Sequence, residues 1–153
     1  MIKIMFVCHG NICRSPMAEF VMKDIVRRAG RCEEFEIASS ATSTEEIGNS
    51  VHRGTRQKLA SVGISVDGKY AVQLTGSDYD YYDYIIAMDS YNVRNIMRII
   101  GSDVAHKVCR LLDFAGGGDI ADPWYTGNFD DTYRDVVKGC TALMQSIEGK
   151  INV

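Results

Sequence analysis

Long apolar runs are missing from this chain of 153 residues, and no stretch approaches the roughly 20 apolar residues of a membrane span. An excess of positive charge is missing too. The formal charge is −3, which argues against general nucleic-acid binding, since that needs a basic face. The start, Met1-Ile2-Lys3-Ile4, carries no long apolar region followed by a cleavage site, so secretion is not expected. The five cysteines (8, 13, 32, 109 and 140) are an odd number without the spacing of a disulfide framework, which fits a reducing cytoplasm. No second Cys/His pair follows Cys8 and Cys13 at zinc-ligand spacing, and His9, His52 and His106 are scattered. Neither a metal nor a cofactor is expected. Repeats and Pro/Ser-rich linkers are also absent, so residues 1–153 read as one domain.

What is present alternates between strand and helix signals, the pattern of an α/β domain with a parallel sheet. Lys3–Val7 reads as the first strand, and Ser15 as the cap of a helix with Pro16 at its first position. Ala18, Val21, Met22, Ile25 and Ala29 recur at helical spacing before Gly30. Phe35–Ala38 reads as a second strand, and Arg53–Val62 as a helix ending at Gly63. The continuous apolar run Tyr84–Met88 suits a central strand buried on both faces. Asp89 or Ser90 caps a helix to about Ile100, Val108–Leu112 is the last strand, and 113–129 is a long loop. Asp130 or Asp131 then opens a final helix. The acidic tyrosine stretch, Tyr79 to Tyr84, reads as a strand approach with rings packed on the sheet edge.

The chemistry concentrates directly after the first strand, in Cys8-His9-Gly10-Asn11-Ile12-Cys13-Arg14-Ser15. A cysteine and an arginine on a strand-to-helix loop make a phosphate seat with a sulfur nucleophile beneath it. The helix start offers unpaired N–H groups and the positive dipole end. Arg14 adds a planar fork that matches two phosphate oxygens. The same field favours attack by Cys8 as thiolate. Gly10 and Asn11 tolerate positive φ, which a loop needs to turn several N–H groups inward. Ser15 is placed to hydrogen-bond the sulfur. A leaving oxygen also needs a proton, and Asp122, stiffened by Pro123 in the late loop, is the candidate acid and then base.

These residues resemble the low-molecular-weight protein tyrosine phosphatases over almost the whole chain. The likeness is carried by Val7 to Pro16, by Ser40-Ala41-Thr42-Ser43 with Ile47-Gly48-Asn49, by Ile86-Ala87-Met88-Asp89, and by Asp122-Pro123. The resemblance implies a single-domain, four-stranded parallel sheet flanked by helices on both faces. It also implies metal-free hydrolysis of phosphotyrosine in protein substrates through a phosphocysteine, with inorganic phosphate and other oxyanions as competitive ligands. By matched position Cys8 is the nucleophile, Arg14 the clamp and Asp122 the acid and base, while Asn11, Ser15 and Ser40 support the loop. Cys13 is implied as a redox partner for Cys8. Trp124, with Tyr125 next to it, stands where many members present a Tyr as a wall for the substrate ring, and Glu45 stands at the other wall. Lys69 stands where many members carry a histidine, which leaves one supporting hydrogen bond open.

Two relatives on the same fold supply alternatives. An arsenate reductase uses two further cysteines downstream of the nucleophile, near the stretch after Met88; here Asp89 to Asn95 contains none. An arginine phosphatase carries Thr where Ile12 stands, and the apolar Ile12 suits an aryl ester better than a phosphoamidate.

Overall fold

The computed structural model describes residues 1–151. Its centre is a four-stranded parallel sheet in the order β2-β1-β3-β4, formed by Ile2–Cys8 (β1), Phe35–Ala41 (β2), Tyr84–Ala87 (β3) and Val108–Arg110 (β4). The helices are Arg14–Arg28 (α1), Arg53–Ser61 (α2), Gly76–Tyr81 (α3), Ser90–Ile100 (α4), Pro123–Thr126 (α5) and Phe129–Ile151 (α6). None of them is long and apolar enough to cross a membrane.

Alternation along the strands builds two cores, one on each face. Ile4 and Phe6 of β1, with Ile86 of β3, pack under Met17, Val21 and Met22 of α1 and Val136, Cys140 and Leu143 of α6. Met5 and Val7, with Ile85 and Ala87, pack against Tyr79 and Ile96 on the other side. Chain order turns at β1, whose neighbours β2 and β3 lie on opposite sides, and the crevice at the carboxyl end of such a turning point is where α/β sheets bind ligands. Cys8 is the last residue of β1 and opens into that crevice.

Several local readings are corrected. Ser15 does not cap α1: the helix begins at Arg14 with Cys13 preceding it, and the Ser15 hydroxyl turns instead toward Cys8. The stretch before β3 is the helix α3, not a strand approach, because the Asp78 carboxylate accepts the Thr75 N–H at 2.9 Å and starts a turn there. Tyr79 and Tyr82 still bury their rings against the sheet. β4 ends at Arg110, and Leu111–Ala115 winds into a 3-10 helix. The long loop therefore holds that turn and α5. The final helix starts at Phe129, with the Asn128 side chain accepting the Asp131 N–H at 3.0 Å.

Candidate active site

The loop from Cys8 to Ser15 closes around the sulfur because three features of its sequence cooperate. Asn11 adopts φ 57°, the left-handed conformation its short polar side chain tolerates, and this turns its N–H onto Cys8 Sγ at 3.3 Å. The Asn11 amide then locks the turn. Its Nδ2 donates to Ser15 Oγ at 2.8 Å and to Ser39 Oγ at 2.9 Å, while its Oδ1 accepts the Val72 N–H at 3.1 Å. Ser15 Oγ lies 3.0 Å from Cys8 Sγ. That oxygen accepts from Asn11, so its one proton is directed to the sulfur at 3.0 Å or to the Ser40 carbonyl at 3.4 Å, and the nearer sulfur is the atom that carries negative charge when it attacks. From outside, Thr55 of α2 donates its hydroxyl to the Cys13 carbonyl at 3.2 Å, and the His52 N–H donates to the Ile12 carbonyl at 2.8 Å.

Arg14 is buried and forked between partners. One terminal nitrogen donates to Asp89 at 2.6 Å and to the Ile120 carbonyl at 2.9 Å; the other meets Asp122 at 3.4 Å. Burial alone pulls its pKa down, but the Cys8 sulfur, Asp89 and Asp122 outweigh this and hold it above the ordinary guanidinium value. The positive charge is thus permanent. Cys13 behaves differently: burial first, then the negative neighbours Cys8 and Asp122, push its thiol up to about 12, so it stays protonated and neutral.

Asp122 heads α5, its Oδ1 accepting the Trp124 N–H at 3.0 Å while Oδ2 faces Arg14. One short helix therefore carries both the carboxylate and the aromatic wall. A pocket of about 120 Å³ results, lined by the loop, Asp122, Trp124 and Tyr125 on one side and Glu45 and Glu46 on the other. Glu45 is drawn across the mouth to His9, at 2.9 Å. Among the described residues, Tyr125 beside Trp124 is the only tyrosine lining the pocket.

The support of the loop requires a correction. The Ser40 hydroxyl is buried without a hydrogen-bond partner among the described residues, and only the Ser40 backbone carbonyl meets Ser15, at 3.4 Å. Ser39 does the work expected of Ser40. Strand parity is the reason: Ser39 shares its face of β2 with Phe35 and Ile37, under α1, whereas Ser40 points to the opposite face. From there Ser39 Oγ donates to Glu19 Oε1 at 2.6 Å. Glu19, buried on α1, was not singled out from sequence; nor were Asp89 as a partner of Arg14, or Glu46. The spacing of Glu19 and Lys23 as an i,i+4 pair, seen at 2.6 Å, and the position of Asp89 just past β3 were the available signals.

Comparison with known proteins agrees with this geometry. Residues 3–153 match the family described as low molecular weight phosphotyrosine protein phosphatase. The chain belongs to this family. YfkJ of Bacillus subtilis, a low molecular weight protein-tyrosine-phosphatase, is 40% identical over 151 residues, 97% of each chain. Its crystal structure superposes with a TM-score of 0.94, at 39% identity over 98% of this chain and 96% of that one. SP-PTP, a low molecular weight protein tyrosine phosphatase from Streptococcus pyogenes, is 44% identical with a TM-score of 0.86, covering 95% of this chain and 93% of its own. PtpA of Staphylococcus epidermidis is 37% identical over 155 residues, all of this chain and 98% of its own.

Lys69 reaches into the support network, donating to the Ser39 carbonyl at 2.8 Å and lying 3.6 Å from Glu19 Oε1. Burial lowers its pKa, and Glu19 counters that shift. An ammonium group thus belongs to the network that holds the loop.

Proposed function

We propose that this chain hydrolyses phosphotyrosine in protein substrates through a phosphocysteine on Cys8. The observation that carries this reading is the convergence in one pocket of a buried sulfur with a backbone donor on it, a permanently charged arginine fork, a carboxylate and an aromatic wall. In the first step Cys8 Sγ forms a bond to phosphorus as the P–O bond to the tyrosine ring breaks, and Asp122 gives its proton to the departing oxygen. The loop N–H groups and Arg14 hold the equatorial oxygens as charge redistributes. In the second step water attacks phosphorus, Asp122 takes its proton, the S–P bond breaks, and inorganic phosphate leaves. Free phosphate fits the same seat and competes with substrate. Ile12, which lines the pocket, offers an apolar surface suited to an aryl ester rather than to an arginine phosphoamidate. The deciding experiment compares phosphotyrosine, phosphoserine and phosphoarginine peptides and traps the reaction by rapid quench. A phosphate adduct on Cys8 with preference for phosphotyrosine is expected; hydrolysis without an adduct, or preference for phosphoarginine, refutes the reading.

Cys13 gives the site a redox partner. Its neutral thiol is a poor first target for peroxide; once Cys8 is the sulfenic acid, Cys13 gives up its proton and its sulfur displaces hydroxide from the Cys8 sulfur, forming the disulfide and water. Peroxide should therefore inactivate the enzyme reversibly, with thiols restoring it. A Cys13→Ala variant should recover a smaller fraction of its own untreated activity; equal recovery refutes the pairing.

A further inference from the structure

Trp124 is the only tryptophan in the chain, and 58% of its surface is exposed. An aromatic side chain standing that far into solvent is a poor wall unless something fixes its rotamer. Here the fixing contact is visible. Trp124 and His52 form a T-shaped pair, with ring centroids 5.7 Å apart and planes at 75°. His52 in turn lies nearly parallel on Phe129, at 5.3 Å and 14°. His52 is tied down at both ends: its N–H donates to the Ile12 carbonyl, and its Nδ1 accepts the Gly54 N–H at 3.0 Å at the head of α2. The absence of a side chain at residue 54 admits Phe129, since a Cβ there would sit 2.3 Å from its ring atoms. Three rings, from the loop before α2, from α5 and from α6, are thus interlocked beside the pocket.

We infer that His52 is a specificity-determining positioning residue: seated on Phe129, it holds Trp124 in the orientation that packs against the substrate's aryl ring. Its backbone bond to Ile12 sets the distance between this brace and the phosphate loop, so floor and wall keep a common register. The inference rests on the phosphatase reading given above. The contact between rings is of the size that changes affinity for an aryl ligand about three- to tenfold.

The test uses the full chain and two competitive inhibitors. Inorganic phosphate fills the seat without touching the wall, and phenylphosphonate fills both. His52→Asn keeps a side-chain acceptor for the Gly54 N–H but removes the ring. Gly54→Ala keeps His52 but drives Phe129 from beneath it. In both variants phenylphosphonate should bind about three- to tenfold more weakly, the inhibition constant of phosphate should hold, and the emission of Trp124 should shift. Equal weakening of both inhibitors would mean that His52 serves only the phosphate loop, and no change in either would mean that it positions nothing; each overturns the inference. If the unmodified chain binds phenylphosphonate no better than phosphate and leaves phosphotyrosine intact, the phosphatase reading itself falls, and the inference falls with it. That failure is distinct, because it appears before any substitution.

Discussion

Asn11, Arg14 and Ser15, at the floor of the pocket, expose 2% of their surface or less, whereas Trp124 and Tyr125 at its wall expose 58% and 84%. The floor is held by a continuous set of hydrogen bonds running from Cys8 through Ser15, Asn11 and Ser39 to Glu19 and Lys69. The wall hangs on a four-residue helix and on one ring contact with His52, which itself rests on Phe129 of α6. The contrast matches two different demands. Transfer of a phosphoryl group needs donors fixed to about 0.5 Å around the atoms where charge develops. Recognition of a protein segment tolerates, and even profits from, a surface that adjusts. The difference between the regions should therefore reappear as a difference in what substitutions do: floor changes act on rate, wall changes on affinity.

The largest effect is expected at the sulfur. Cys8→Ser replaces the nucleophile with a hydroxyl that has no base beside it, and turnover should fall by about 10⁴-fold or more. Phosphate should still bind, since the Asn11 N–H and Arg14 remain. Inhibition constants and steady-state rates measured side by side check this. A serine variant that keeps working removes the floor from the chemistry altogether.

Next comes Asp122, which belongs to both regions: one oxygen faces Arg14 and the other caps the helix that carries Trp124. Asp122→Ala should cost about 10²–10³-fold on phosphotyrosine, whose phenol leaves poorly without a proton. The loss should shrink steeply on an activated aryl phosphate, because a good leaving group needs little protonation. A variant that loses the same factor on both substrates would place Asp122 in the structure of the wall rather than in proton transfer.

The same division governs how much could be read from the amino-acid sequence. Cys8, Arg14 and Asp122 were legible because their chemistry lies in local spacing after a strand and before a helix, and the alternation of elements was legible from apolar runs and glycine stops. The support layer was not. Glu19 is a carboxylate on α1, and charged residues on helices ordinarily face water; only the assembled fold shows it buried beneath Ser39 and Lys69. His52 gives no signal either, since its partners Trp124 and Phe129 lie more than seventy positions away in the chain. Asn128 competes as the cap of α6 with the aspartates at 130 and 131, and the tyrosines of α3 favour strands. In each case the missing information is which face or which distant segment a side chain meets.

The pair Ser39 and Ser40 gives the finest test of the comparison, because the two residues are adjacent, both buried and chemically identical. Register sets them apart: opposite Phe6 and Val7 of β1, they point to different faces of the sheet. Ser39→Ala strands one proton of the Asn11 amide inside a buried network and takes from Glu19 Oε1 its hydroxyl donor, leaving it only the Lys69 ammonium at 3.6 Å. Stranding such groups costs about 1–3 kcal/mol, and the slackened Asn11 turn should lower turnover more than it raises KM. Ser40→Ala removes a hydroxyl that has no partner among the described residues, so stability should stay level or rise slightly, with turnover unchanged. Urea melts of the two variants, read beside their kinetics, decide it. Equal destabilisation, or a larger loss from Ser40, would mean that the floor is not held through Glu19, and the supporting part given to Lys69 would go with it.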